Sequence, residues 1–351
     1  MYAIVAPIFA AFLASSYLCV LLFTRSVNNP ILIVSALIML ATAWLLRPRL
    51  GRLPNDTIRR SEAPALFAVL DAIRSEVGGK RVNHLRIVNQ FEASIGSYGL
   101  RGTQVVQLGA GFIAAFTPFE TVGVLAHEQG HSANRDPGRS RLIYSTRTTL
   151  ANVAGLLSGA GHDAKRFQHS EERLAGIALR GLATVANFVH LLLLDVTWKD
   201  RQTAELRADL GTARVVGTKA AIRQMEKFLL LDDIMNFANE RAMHLDTSIA
   251  DELAATYRAV PDRAREGARR KLADEPTAHV DVSHPPWRDR IDLLQRCGLL
   301  PHPPSESMIT ENSPLLQKLD VELRALSQTA IERMVVEIRD FNFKRFGTVP
   351  R

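Results

Sequence analysis

The sequence predicts an α+β fold that is mainly α, with an N-terminal helical hairpin and a small antiparallel sheet. Three observations predict it. Two apolar segments without charged residues, Tyr2–Thr24 and Pro30–Leu46, come first. Arg86–Ile113 then has the composition of two or three short strands. From Thr117 onward the pattern is helical almost throughout.

Residues 1–48 are predicted to form a transmembrane hairpin of two helices. Tyr2–Thr24 is long enough to cross a bilayer, and Pro30–Leu46 lies at the short end of spanning length. A signal peptide is the alternative interpretation of the first segment. It is disfavoured because no basic region precedes the segment and a second apolar segment follows at once.

The distribution of arginines orients this hairpin. The loop between the two segments has only Arg25, whereas five arginines follow the second segment: Arg47, Arg49, Arg52, Arg59 and Arg60. The positive-inside rule therefore predicts that the N-terminus and the large C-terminal part lie in the cytosol. The two cysteines, Cys19 and Cys297, agree with this compartment because they build no disulfide framework.

The net charge of +7 does not by itself indicate a nucleic-acid partner. The basic residues are spread over helices with acids between them, as in Asp262–Glu266, and no nucleic-acid module is visible. A cytosolic domain held against an anionic lipid bilayer accounts for the charge balance.

The string His127-Glu128-Gln129-Gly130-His131 is the most informative part of the chain. On a helix, residues four apart project from one face, so His127 and His131 can bind one Zn²⁺ ion. Glu128, one position on, can accept the proton of an attacking water molecule. The pattern is typical of zinc hydrolases.

A helix start precedes this motif. Thr117–Glu120 places threonine at the N-cap, proline at the first helical position and glutamate at the third. The helix is expected over Pro118–Asn134, so both histidines are mid-helix. Upstream, Val105–Leu108 is predicted to be a strand, with Gly109 and Gly111 as its turn.

A catalytic zinc site needs a third protein ligand and an open position. Glu205 and Asp209 are the best candidates, because they are four apart on a predicted helix and face one way. Glu205 would bind the metal, and Asp209 would accept an N–H from a ligating histidine. Alone, such a pair is typical of a solvated helix face.

A third motif is Ser283–Ile291, in which His284 is followed by two prolines that fix an extended entry into a helix. His284 could then donate a hydrogen bond to the tetrahedral oxyanion of peptide hydrolysis. Alone, this residue would be interpreted as a surface histidine before a helix.

In this order the three motifs resemble the HtpX and CAAX prenyl endopeptidase (Ste-type) family of integral-membrane zinc metalloproteases. The resemblance covers roughly Ser61–Gly298 and implies a zincin-type metalloprotease domain with one Zn²⁺ per chain, in a protein of the cell (inner) membrane. It implies these roles: zinc ligands His127, His131 and Glu205, general base Glu128, Asp209 beside the ligands, transition-state donor His284 and supporting cleft residue Arg290. Ser283 departs from the family's commoner threonine, and Arg135 from its commoner glycine.

Asn89 and Ala93 match the family's N-x-x-x-A strand, which implies that this edge strand pairs with an extended peptide substrate. The expected function is a membrane-anchored zinc endopeptidase that cleaves membrane or membrane-associated proteins in quality control or regulated processing. A non-catalytic membrane adaptor or sensor with a zincin fold is one alternative. A protease for prenylated C-termini is another, disfavoured because that branch has more membrane spans.

Two more apolar stretches, Thr148–Ala160 and Leu182–Val196, fall within residues 143–198. Because His131 and Glu205 must bind one metal, the chain between them crosses the membrane an even number of times. Both stretches are short for a span. Helices that pack on the domain or lie shallow in the interface are therefore favoured over two further spans.

The protease domain is expected over residues 49–298, followed at 299–351 by a linker and a C-terminal helix of unknown role. Ser61–Gly79 and Gly217–Leu245 are predicted helices of the domain. The last helix, about Ser313–Phe341, has an apolar face and is expected to pack on the domain.

Overall fold

The computed structural model describes residues 2–25, 30–47, 51–89, 92–99, 101–134, 141–163, 170–231, 270, 284–297 and 309–346. Its helices are α1 (Tyr2–Arg25), α2 (Pro30–Leu46), α3 (Pro64–Val77), α4 (Ala110–Ala115), α5 (Pro118–Ala133), α6 (Arg141–Asp163), α7 (Ser170–Val216), α8 (Thr218–Leu229), α9 (Trp287–Cys297) and α10 (Pro314–Phe346). Its strands are β1 (Ile58–Arg59), β2 (His84–Val88), β3 (Ala93–Tyr98) and β4 (Thr103–Gly109).

The chain divides into two compact units. The helical unit comprises Met1–Gly51 and Pro137–Arg201, and the mixed unit comprises Arg52–Asp136 and Gln202–Arg351. Helix α7 contributes its residues up to Arg201 to the helical unit and the rest to the mixed unit.

The helical unit has a small buried cluster and a large apolar surface. Val5, Ile143 and Leu193 form the cluster, and Phe9 packs against it. Other large apolar side chains are exposed on α7: Leu182, Val185, Phe188, Leu191 and Val196. A surface of this kind is typical of helices that face lipid or a partner rather than water.

Two helices of the described part are long and apolar enough to cross a membrane, by length and composition alone: α1 over Val5–Leu22 and α7 over Arg180–Val216. Helix α2 has 17 residues and coincides with the second apolar segment of the sequence.

The stretch Leu182–Val196, expected to be short for a span, lies in a helix of 47 residues that is long and apolar enough to cross a membrane by length and composition. The choice between a shallow helix and a span stays a prediction. The helix continues through charged residues on both sides of the apolar run, which a count of apolar residues does not reveal. Helix α6 and the first part of α7 also group with α1 and α2 in the helical unit, not with the mixed unit.

The strands of the mixed unit form one four-stranded sheet of order β1-β2-β4-β3. Strands β1 and β3 are antiparallel to their neighbours, but β2 and β4 run parallel, with Leu85 opposite Val106. The sheet is therefore mixed, and the predicted antiparallel sheet is wrong. The reason is that β4 folds back on β3 through Gly99 and Gly102, at φ of 64° and 68°, and inserts between β3 and β2.

The core of the mixed unit lies between the sheet and helices α3, α4, α5 and α10. Its fully buried large side chains include Phe67, Leu70, Leu85, Leu108, Phe116 and Leu125. Helix α10 contributes Leu316, Leu319, Leu323, Ile331, Met334 and Val335. The last helix is thus part of the core, as its apolar face predicts.

Helix α10 also caps α3. Glu322 accepts hydrogen bonds from the backbone N of Ala65 at 2.9 Å and of Leu66 at 2.8 Å. The N-cap residue of α3, Ala63, has no side chain that could do so. A carboxylate from a distant helix therefore satisfies the first turn of α3 and complements its dipole.

Two other predicted elements differ from the structure. Gly109 and Gly111, expected to form a turn, instead open helix α4, into which β4 leads directly. Helix α8 accounts for the start of the predicted helix Gly217–Leu245, whose residues beyond 231 lie outside the described part.

Candidate metal centre

The helix that carries the motif begins as the sequence predicts. The backbone N of Glu120 donates to the Thr117 hydroxyl at 3.2 Å, and the backbone N of Thr117 donates to the Glu120 carboxylate at 2.8 Å. This capping box satisfies two backbone donors of the first turn of α5. His127 and His131 consequently lie within regular helix, one turn apart.

Helix α5 approaches α7 closely at two small residues. A Cβ added to Gly130 would lie 3.0 Å from the Cα and 3.3 Å from the Cβ of Ala208. Such spacing favours glycine, because a Cβ would press against the backbone of Ala208 and one of the helices would have to shift. The contact brings the helix segment with Glu205 and Asp209 opposite His127.

Gln129 fixes the other side of α5. Its side-chain amide nitrogen donates to the carbonyl oxygens of Gly78 at 3.0 Å and Lys80 at 2.9 Å. The side chain is buried, and the Gly79 backbone lies against it. Gln129 and Gly130, the two unspecified positions of the motif, therefore have packing roles, which the motif itself does not reveal. A glycine in mid-helix and a buried amide were the available signals.

Three side chains converge on one point. His127 Nε2 lies 3.2 Å from His131 Nε2 and 3.3 Å from Glu205 Oε2. His131 Nε2 lies 3.4 Å from Glu205 Oε1. Tetrahedral zinc bonds of about 2.0–2.1 Å place donor atoms about 3.3 Å apart. The two imidazoles and the carboxylate thus fit the donor set and spacing of a zinc site.

Glu128 belongs to the same group. Ligand atoms of His127, Glu128 and His131 all lie within 4.8 Å of one another, so these three could by themselves hold a metal ion. The Glu205 oxygens are nearer to both imidazoles, at 3.3 and 3.4 Å. Shorter donor distances favour Glu205 as the third ligand and leave the buried Glu128 carboxylate beside the site.

Asp209 contacts the ring nitrogen of His127 that is not directed at the metal position. Its Oδ1 lies 3.1 Å from His127 Nδ1, and the side chain is fully buried. An N–H donated from Nδ1 leaves the Nε2 lone pair free to face the metal position. Asp209 also accepts hydrogen bonds from Arg290 Nε at 2.7 Å and Nη2 at 2.6 Å.

Arg290 is buried on α9, and its guanidinium stacks over the Trp287 ring at 4.4 Å. The two-point contact with Asp209 neutralises that carboxylate and fixes its orientation. The arginine expected to support the cleft therefore acts on the site through Asp209.

The environment of His127 favours its protonated form when no metal competes. Burial on its own lowers the pKa of His127, but hydrogen bonds with Asp209 and then Glu205 outweigh burial and raise it to about 9. A metal ion therefore competes with a proton for Nε2.

His284 also reaches the site. Its Nδ1 lies 2.8 Å from Glu205 Oε2, and its side chain is half-exposed. It stands just before α9, behind the buried Pro285, as the proline pair predicts. Ser283 and Arg135, where the sequence departs from the family pattern, lie outside the described residues.

Asn89 and Ala93 lie at the same end of the sheet, Asn89 after the inner strand β2 and Ala93 at the start of the edge strand β3. Ala93 begins β3 and pairs with Leu108, and α5 packs against this strand. Asn89 follows β2, and its amide nitrogen donates to Glu337 of α10 at 3.0 Å. Strand β3 has no neighbouring strand on its outer side among the described residues, which makes it an edge strand of this sheet.

Comparison with known proteins agrees with the motifs. Residues 81–297 match the model of Peptidase family M48. A relative named Protease HtpX from Pseudomonas putida (strain GB-1) is 26% identical over 258 residues, which cover 73% of this chain and 79% of the relative. Another Protease HtpX, from Ectopseudomonas mendocina (strain ymp), is 23% identical over 256 residues, or 73% of this chain and 80% of the relative. No solved structure matches the chain with significance.

The matched names, together with the apolar helices and the His127-Glu128-His131 group, support a protease of the membrane metallopeptidase type. The family match covers more than half of the 351 residues. The protein belongs to peptidase family M48.

Proposed function

We propose that the protein is a membrane-anchored zinc endopeptidase with a zincin-type domain on the cytosolic side of the inner membrane. The observation that carries the proposal is the triangle of His127, His131 and Glu205 donor atoms with edges of 3.2, 3.3 and 3.4 Å. A buried carboxylate, Glu128, stands beside this triangle.

His127, His131 and Glu205 would hold the metal. When bound there, zinc would supply Lewis acidity that activates water and polarises a peptide carbonyl. Three protein ligands leave one tetrahedral position for chemistry, which is the arrangement of catalytic rather than structural zinc sites.

Glu128 acts as the general base. It accepts the proton of the attacking water and transfers it to the nitrogen of the leaving amine. Its position next to His127 on a capped, tightly packed helix holds the carboxylate in place for both transfers. Among the described acids, only Glu128 lies this close to the metal position without being one of the three proposed ligands.

Asp209 and Arg290 keep His127 in the productive tautomer, through the 3.1 Å contact at Nδ1 and the two hydrogen bonds from the guanidinium. His284 is within reach of the reacting centre, since its Nδ1 already lies 2.8 Å from Glu205. Its half-exposed ring can turn towards substrate and donate to the oxyanion.

The substrate is a protein segment bound as an extended strand along β3. The open edge offers backbone N–H and C=O groups, and the strand lies against the metal-bearing helix. Ala93 begins this edge strand, and Asn89 lies at the same end of the sheet. A peptide bound along β3 would pass α5. Membrane or membrane-associated proteins are the proposed substrates, in quality control or regulated processing.

Helices α1 and α2 are the proposed anchors, and α6 with the first part of α7 forms a second membrane hairpin. The exposed apolar side chains of α7 and its length support this placement. Two crossings between His131 and Glu205 return the chain to the side that it left, as a shared metal site requires.

The decisive variant is Glu128→Gln, which removes the base and keeps the shape of the side chain. The purified protein in detergent should retain zinc, measured by mass spectrometry of the metal, and lose casein hydrolysis by at least about 100-fold. Glu76→Gln, on the exposed side of α3, is the matched control and should leave both unchanged. Wild-type hydrolysis by Glu128→Gln would overturn the proposed mechanism.

A further inference from the structure

The helical unit contains four buried side-chain nitrogen atoms that form no hydrogen bond. They are Arg147 Nε on α6 and, on α7, His190 Nδ1, Trp198 Nε1 and Arg201 Nε. All four residues belong to the same compact unit. Arginine and tryptophan can only donate, and histidine donates in one of its tautomers or when charged. These side chains therefore offer hydrogen-bond donors that have no acceptor.

The apolar contact between the two helices brings Arg147 of α6 beside α7. Ile143 of α6 packs with Leu193 of α7 in the buried cluster of the unit. On an antiparallel pair of helices, Arg147 then comes level with His190, one turn away from that contact on each helix. Electrostatic interactions of Arg147 with both His190 and Arg201 agree with this proximity.

Arg147 and Arg201 are positive and have no counter-charge among the residues that the structure describes. In the described part of the chain, no acidic side chain forms an ion pair with Arg147 or Arg201. The neighbouring acids of α7, Asp195 and Asp200, are exposed. Each arginine has a buried Nε without a hydrogen-bond partner, and the two like charges interact, so an anion between them would satisfy both.

The position of the two arginines along the helices indicates the source of that anion. On α7 the exposed apolar side chains end at Val196, and the exposed, charged Lys199 and Asp200 follow. On the other helices, the Thr149 hydroxyl lies 3.5 Å from the carbonyl oxygen of Arg47, at the end of α2. Arg47 stacks over Trp44 there.

Tryptophan and arginine at the end of apolar helices are typical of the headgroup level of a bilayer. The positive-inside rule places this level at the cytosolic leaflet, where anionic phospholipids bind basic pockets between helices.

We infer that Arg147 and Arg201 form a binding site for a phosphate group between α6 and α7, supplied by the headgroup of an anionic phospholipid. A phosphate has several acceptor oxygens, which suits N–H donors from two guanidinium groups. The site goes beyond the proposed protease activity, and it rests on the membrane placement of α6 and α7 in the proposed function.

The test uses full-length, zinc-loaded protein in a zwitterionic detergent. Native mass spectrometry and thermal unfolding would be recorded with added phosphatidylglycerol, phosphatidylcholine or inorganic phosphate. The wild type should bind phosphatidylglycerol about ten-fold more tightly than phosphatidylcholine, and phosphatidylglycerol should raise its Tm. The double variant Arg147→Gln, Arg201→Gln should lose both the preference and the rise in Tm.

Lys199→Gln, which removes an exposed charge from the same helix, is the matched control and should keep the preference. Without lipid the double variant should be at least as stable as the wild type, because it no longer places two like charges near each other without a counter-charge. A merely structural role would instead lower its Tm in every condition, and zinc content should be unchanged in all variants.

Two results would overturn the inference. If the double variant keeps the preference for phosphatidylglycerol, these arginines do not bind the headgroup. If inorganic phosphate binds with the same dependence on both arginines and phosphatidylglycerol does not displace it, the lipid source is wrong.

Discussion

Gly130 of α5 faces Ala208 of α7 so closely that a Cβ on Gly130 would lie 3.0 Å from the Ala208 Cα. Gly130 lies next to His131 and three residues after His127, and Ala208 lies three residues after Glu205. The spacing of the two backbones therefore sets the distance between the histidine pair and Glu205. A packing contact without polar chemistry thus determines whether three donors can meet at one ion.

Gly130→Ala should separate α5 from α7 and weaken the site. The added methyl meets backbone atoms of Ala208, which cannot rotate away, so we expect a loss of about 1–3 kcal/mol in stability and reduced zinc content. Gly181→Ala on α7, where a Cβ meets nothing within 4 Å, is the control and should be neutral or stabilising. Tm and metal content measure both; equal behaviour of the two variants would contradict the prediction.

Glu205→Ala should abolish tight zinc binding. Groups that only orient ligands typically change metal affinity by about 10–100-fold, so removal of a ligand should exceed about 100-fold. Competition with a fluorescent chelator measures the affinity, and Asp200→Ala, exposed on the same helix, serves as the control. Full zinc occupancy in Glu205→Ala would show that Glu128 or another group completes the site.

Asp209→Asn should act on both metal affinity and stability. The substitution removes the charge that neutralises the buried Arg290, and breaking such a pair costs about 3–5 kcal/mol. It also weakens the acceptor for His127 Nδ1, which should lower zinc affinity by about 10–100-fold. Urea unfolding and zinc titration test the two effects separately.

The exposed pair of Arg296 with Asp292 offers a comparison with the buried one. Arg296→Ala should change stability by at most about 1 kcal/mol, since its side chain is 83% exposed and solvent screens the pair. A comparable loss in both variants would mean that the buried ion pair has no special role.

Glu322→Gln should destabilise the mixed unit without affecting the metal. The charged carboxylate accepts from Ala65 and Leu66 at the start of α3, and a neutral amide caps less well, so we expect a loss of about 1 kcal/mol. Glu332→Gln, on the same helix, should have little effect. Zinc content in both variants should equal that of the wild type; a loss in Glu322→Gln would indicate that α10 supports the site directly.

The sequence by itself determined the local geometry of the site. The N-cap threonine, the proline after it and the glutamate at the third position define the start of α5, and four-residue spacing places both histidines on one face. Glu205 and Asp209 are likewise aligned by the period of α7. These features depend on interactions between residues a few positions apart, which a linear pattern records.

Only the tertiary structure decided which distant elements meet. The parallel pairing of β2 with β4, the insertion of α10 into the core, the cap that Glu322 gives to α3 and the contact of Gly130 with Ala208 all join residues far apart in the chain. Each contact depends on which two surfaces pack together. The periodicity of one segment does not identify the segment that packs against it. The zinc triangle has both origins: helix period aligns its donors, and the packing of α5 against α7 closes it.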